Sequence, residues 1–192
     1  MNMIKLVSTR FTDTTLKENR DYREKHGIRG CIYGCPQEFS PKILYNEVVF
    51  VVEMNNTLNQ IEGIGLIRNK PYMDKYYNIY ADGNYNRYIY KSDYFIVRQM
   101  VIRHCPHVVE ALDYVLFREK THLKRGSGFT TVPGKLITHR VCEKIELLKE
   151  IKELFVFQFG NTNIRYDNED KSQNHNNKSE GGFIVGTVEN NL

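Results

Sequence analysis

The chain has 192 residues, of which 41% are hydrophobic and 12% aromatic, and a net charge of +4. That length and apolar content exclude a wholly disordered chain and suit one domain with a core of its own. The charge is uneven: residues 161–192 hold five acids and three bases, which leaves 24 bases and 18 acids in the first 160. Such an excess is compatible with an anionic partner. Four cysteines are too few for a disulfide framework, the N-terminus lacks the apolar core of a signal peptide, and no apolar run is long enough to span a bilayer. The chain therefore reads as soluble and intracellular, with reduced thiols and no membrane role.

In chain order, Ile4 to Ser8 reads as a first strand. Thr12 or Asp13 caps a helix over 14–25, and Gly27 stands where it stops. Gly27, Gly30, Gly34 and Pro36 then mark a sharply bent segment. Val48 to Val52 is β-branched and aromatic, and a second apolar run carries Ile61, Ile64, Leu66 and Ile67. The asparagine-rich stretch between them predicts a β-hairpin with a longish polar loop. Gly63 and Gly65 interrupt the second strand, which points to a bulge, a bend or the close approach of another group.

Residues 71–94 are crowded with tyrosines, interleaved with Lys75, Arg87 and Lys91. Rings alternating with cations are what a nucleic-acid surface uses; the bland alternative places half of these rings in the core. Strands are expected at 85–90 and 94–100, and Pro106 opens a helix to about Phe117. A second helix is expected from Thr138 to Phe155 on its 3.6-residue periodicity. Residues 161–181 read as a flexible polar tail, and 182–192 as a short apolar segment with a preference for docking on the fold.

The strongest local signal is the stretch from His122 to Thr131. Gly126 and Gly128 allow close backbone approach, Lys124 and Arg125 supply charge, and Ser127 adds a hydroxyl beside Phe129. Residues 118–144 hold seven bases and two acids. Such a loop suits a phosphate or a nucleic-acid backbone, although the P-loop spacing is missing and a plain basic turn is the competing reading. Cys31, Cys35, Cys105, Cys142 and the nearby histidines lack metal-knuckle spacing, so neither metal nor cofactor is expected. No serine elbow or acid–histidine pair asks for catalytic residues.

One resemblance rests on particular residues. The strand ending Glu53-Met54-Asn55, followed by Ile61-x-Gly63-Ile64-Gly65-x-Ile67, resembles the central hairpin of PUA-like barrels of the YTH and EVE type. Upstream, Gly30 to Pro36 holds the place of the glycine-led turn of YTH domains. The likeness covers about residues 3–68. By strict spacing the cage tryptophan of that turn falls on Ile32, with Tyr33 next to it, and the chain has no tryptophan at all. The resemblance implies an α+β fold: a small, mixed, bent PUA-like β-barrel with packed helices, over residues 1–160. It also implies non-catalytic binding of nucleic acid, RNA ahead of DNA, including a modified or flipped base. The base would enter at Ile32, Tyr33, Gly34, Glu53, Asn55 and Phe129, and the backbone would lie along Lys124, Arg125, Gly126, Ser127 and Gly128. The runner-up is a structural protein that binds a protein partner through its tyrosine-rich segment, and a third reading is a nucleic-acid-modifying enzyme. The Asn, Lys, Ile and Tyr bias suits, by resemblance only, a protein of a large DNA virus.

Overall fold

The computed structural model describes residues 4–118, 120 and 122–160; the expectations for 161–192 lie outside them. The fold is mixed α and β. Strand β1 (Lys5–Phe11) leads through helix α1 (Asp13–Lys25) and strand β2 (Cys31–Cys35) to the hairpin of β3 (Val48–Asn55) and β4 (Gln60–Arg68). Strands β5 (Tyr88–Ser92) and β6 (Phe95–Val97) precede helices α2 (Arg98–His104) and α3 (Pro106–Phe117). A two-residue strand β7 (Thr130–Thr131), a short α4 (Gly134–Ile137) and α5 (Leu147–Phe159) complete the described residues.

The main sheet has the order β6-β4-β3-β1-β7, and β2 pairs with β5 in a second sheet of two strands. Strands β1 and β3 are parallel; the other pairs are antiparallel. Among the described residues β6 and β7 end the main sheet, and no pairing closes it into a barrel. The β3 run from Val49 to Met54 is buried on both faces, which explains its unbroken apolar sequence. Phe50, Val52 and Met54 pack with α2, α3 and α5, whereas Val49 and Val51 pack with the β2–β5 layer and α1.

Three expectations are corrected by local hydrogen bonding. The strand expected over 94–100 stops at Val97, because Arg98 turns into α2 and pairs with Asp113 at 2.7 Å. The same two side chains hold the Ile61 carbonyl and N–H, fixing the start of β4. The long helix expected from Thr138 is broken: α4 and a 3-10 turn at Arg140–Cys142 precede α5. Thr138 Oγ1 donates to the Gly134 carbonyl and His139 Nδ1 accepts from Val141 N–H, local alternatives that compete with helix. The strand expected over 85–90 begins only at Tyr88, after a 3-10 turn at Gly83–Asn86. Asn86 holds that turn by accepting from the N–H groups of Ile79 and Tyr80.

The hairpin glycines are sites of close approach, as their sequence context predicts. A Cβ at Gly65 would lie 2.5 Å from Tyr33 Oη and 2.9 Å from Cys31 Sγ; one at Gly63 would lie 2.5 Å from the Phe95 ring. The β2–β5 layer sits directly on β4 at Gly65, and the Phe95 ring of β6 lies over Gly63, because those positions carry no side chain. Gly65→Val should therefore destabilise the fold by about 1–3 kcal/mol, the cost of overpacking, despite the strand preference of Val. Urea unfolding of the two proteins checks this; equal midpoints would remove the close-packing argument.

Candidate functional site

The parallel strands β1 and β3 end side by side, and the Asn56 N–H donates to the Phe11 carbonyl at 2.9 Å. Carboxyl ends of parallel strands are where loops gather and where ligands commonly bind in sheets of this kind. Four further segments meet here: the first turn of α1 with Thr12 and Thr15, Gly34 of β2, the tyrosine-rich excursion with Tyr80 and Tyr85, and the loop 126–128. Together with Thr9, Arg10, Phe11 and Asn56 they enclose a cavity of about 170 Å³. A cavity of about 150 Å³ is enough for one benzene ring, so this space suits a single ring-sized group.

Each wall has a local cause. Thr12 caps α1, its hydroxyl accepting from Thr15 N–H while Thr15 Oγ1 accepts from Thr12 N–H, so the first turn stands well formed at the cavity. Gly34 is small because the excursion crosses it: a Cβ there would lie 2.2 Å from the Tyr85 carbonyl. Tyr80 is pinned by Asn19, whose amide donates to the Tyr80 oxygen at 3.0 Å and to the Ile32 carbonyl at 2.8 Å. The Tyr80 and Tyr85 rings meet edge to face.

The glycine loop is held from inside by Arg10. Its guanidinium donates to the carbonyls of Leu123 (3.1 Å), Gly126 (3.2 Å) and Gly128 (3.0 Å) and to the Thr130 hydroxyl (2.8 Å). Burial lowers the Arg10 pKa from its ordinary value, and Tyr85 offsets part of that. Gly126 and Gly128 have φ of 102° and 64°, backbone that a side chain would strain. With the Gly126 and Gly128 carbonyls committed to Arg10, the N–H groups of Gly126, Ser127 and Gly128 have no hydrogen-bond partner among the described residues. Unpaired N–H groups in a glycine turn are the chemistry of an anion site. Arg125 is exposed and Lys124 half-buried; neither forms an ion pair among the described residues. The Lys124 carbonyl accepts from Asn56 Nδ2 at 2.8 Å, which ties the loop to the hairpin turn.

Of the residues expected in a base pocket, only Gly34 lines the cavity. Ile32 is fully buried in the β2–β5 layer. Tyr33 is also core, its hydroxyl donating to Glu53 at 2.9 Å. Asn55 organises the hairpin turn, its side-chain oxygen accepting from the N–H groups of Thr57 and Leu58. Phe129 stacks on Phe39 with ring centroids 4.3 Å apart and anchors the loop in the core. Sequence order alone points to these positions, whereas strand alternation and layer packing decide which way their side chains face. On the phosphate side the structure brings Gly126, Ser127 and Gly128 to the cavity. Tyr80 and Tyr85 come from the tyrosine-rich segment, whereas nothing in the sequence singles out Arg10 and Asn56. The readable signal for this position was the Thr12 cap directly after a strand, because a helix start leaves unpaired N–H groups at the strand end.

Glu53 lies apart from the cavity as a buried carboxylate. Burial raises its pKa, and the Arg23 guanidinium at 3.8 Å and the Tyr33 hydroxyl oppose that rise. Arg23 also lies over the Phe95 ring, 4.4 Å from its centroid.

No family model, curated protein or solved structure matches this chain.

Two outcomes follow from these contacts. Arg10→Leu strands three loop carbonyls and should cost about 2–3 kcal/mol, while tryptic cleavage after Lys124 and Arg125 accelerates. Melting and timed digestion with mass spectrometry measure both; an unchanged digestion rate would contradict the anchoring role. For Glu53, a folded pKa above the ordinary value of 4.5 means its contribution to stability is complete below that pH. The contribution is lost as pH rises through the folded pKa, because the unfolded chain ionises first. The stability difference between the parent and Glu53→Gln should therefore shift against the parent as pH rises from about 4. A pH-independent difference would show that burial does not govern this carboxyl.

Proposed function

We propose that this chain binds single-stranded nucleic acid without chemistry, RNA ahead of DNA, with one base in the cavity and phosphates on the glycine loop. The observation that carries the reading is the loop itself: Arg10 draws its carbonyls inward, leaving three consecutive N–H groups beside Lys124 and Arg125. A ring-sized cavity opens directly next to them, with Phe11, Tyr80 and Tyr85 among its walls. Base stacking and phosphate contact are then available within one nucleotide's reach. The resemblance to PUA-like domains of the YTH and EVE type supports the same reading. Kinship with those barrels is part of the proposal, resting on the central hairpin, the Gly30–Pro36 turn and the order of the first elements. Any cage here is built of Tyr and Phe rather than Trp.

A second reading has its own observation. Met73 and Tyr76 of the excursion are more than 60% exposed, which suits a protein partner on that segment.

Fluorescence anisotropy with single-stranded RNA across a salt series separates the two. Lys124→Ala with Arg125→Ala should weaken binding for all sequences alike and shrink the slope of log K against log salt by about one to two units. Tyr85→Ala should cost about 1–3 kcal/mol of affinity through the lost stack, with the salt slope unchanged. Folded parent protein that binds no nucleic acid at physiological salt would move the function to the protein-partner reading.

A further inference from the structure

Ser127 stands exposed on the cavity rim, between two glycines of positive φ, in a loop whose N–H groups have no hydrogen-bond partner among the described residues. Its own hydroxyl makes no hydrogen bond among the described residues. Lys124 and Arg125 precede it by three and two positions. Kinases that select substrates by charge read basic residues placed N-terminal to an accessible serine.

We infer that Ser127 is a phosphorylation site that switches the cavity off. The step is an ordinary phosphoryl transfer. Ser127 Oγ bonds to the γ-phosphorus of ATP as the bridging bond to ADP breaks, and the hydroxyl proton passes to the base of the kinase. The product carries close to two negative charges and three acceptor oxygens. Those oxygens would take the loop N–H groups and the two neighbouring cations, the same partners that the proposed function assigns to a nucleic-acid phosphate. A second anion is then met by like charge where the unmodified loop offers donors. The switch rests on the nucleic-acid reading; the modification of Ser127 does not.

The test uses the full chain in three arms. First, the folded protein is incubated with ATP and a serine kinase that prefers basic substrates, and the modified residue is located by mass spectrometry. Phosphate on Ser127 is the expected result; a kinase that modifies the isolated 122–131 peptide but not Ser127 in the protein overturns the site. Second, the phosphorylated protein is compared with the parent for single-stranded RNA binding. A loss of roughly ten-fold or more, restored by phosphatase, is expected from placing like charges together. Equal affinity overturns the switch and leaves the function standing. Third, protein carrying genetically encoded phosphoserine at 127 is melted and then assayed in the same way, so that modification elsewhere cannot account for the loss. If this form does not fold, the kinase and phosphatase arms alone decide. A parent that binds no RNA overturns the proposed function and the switch together.

Discussion

The fold depends on the complete burial of strand β3. Val49 to Met54 lie in the middle of the sheet with almost no exposure, so both faces must be covered by something. The helices α2, α3 and α5 cover one face, and the β2–β5 layer with α1 covers the other. Each side chain of about this size contributes roughly 1.5–3 kcal/mol when fully removed from water, so neither cover can be lost cheaply. Gly65 belongs to the same constraint, because it lets the second layer come down on the neighbouring strand.

That arrangement creates a difficulty at Glu53, the acidic residue in the buried run. Isolated ionised carboxylates are very costly in such surroundings. Here the cost is met locally by the Tyr33 hydroxyl, with Arg23 of α1 a little further away. The helix is mostly polar, and its buried and half-buried positions show why it is there: Leu16 packs, Asn19 ties β2 to Tyr80, and Arg23 faces Glu53. Removing one partner of such a group leaves the other buried and unpaired, so these side chains form one unit rather than separate contacts.

The candidate site is a consequence of strand direction. Since β1 and β3 run parallel, their carboxyl ends finish together, and the turns that follow them must crowd into one place. The glycine loop reaches that place from more than a hundred residues away, drawn in by Arg10 at the end of β1. Arg10 serves as scaffold here: its donors are spent on the loop, and the free positive charge comes from exposed Arg125 and half-buried Lys124. Such division of labour suits a binding surface, in which a half-buried cation held by several hydrogen bonds shapes the backbone and its more accessible neighbours meet an anion.

Local signals were readable wherever a short stretch decides its own conformation. The Thr12 cap, the hairpin and Pro106 at the start of α3 are all set by neighbours in sequence. The glycine and basic character of 124–128 was likewise visible, and with it the idea of an anion site. What failed was the assignment of side chains to a pocket. Tyr33 and Phe129 have the composition of a base-binding wall, yet whether a ring faces a cavity or a core depends on which layer packs against its strand. That is settled by pairings across 50 residues or more, as when β2 joins β5, and no local pattern encodes it. Thus the sequence by itself determined the β3–β4 hairpin, helices α1 and α3 and the chemistry of the loop. Only the tertiary structure decided which end of the sheet gathers them, because Arg10, Asn56 and Tyr80 acquire their roles through contacts between distant segments.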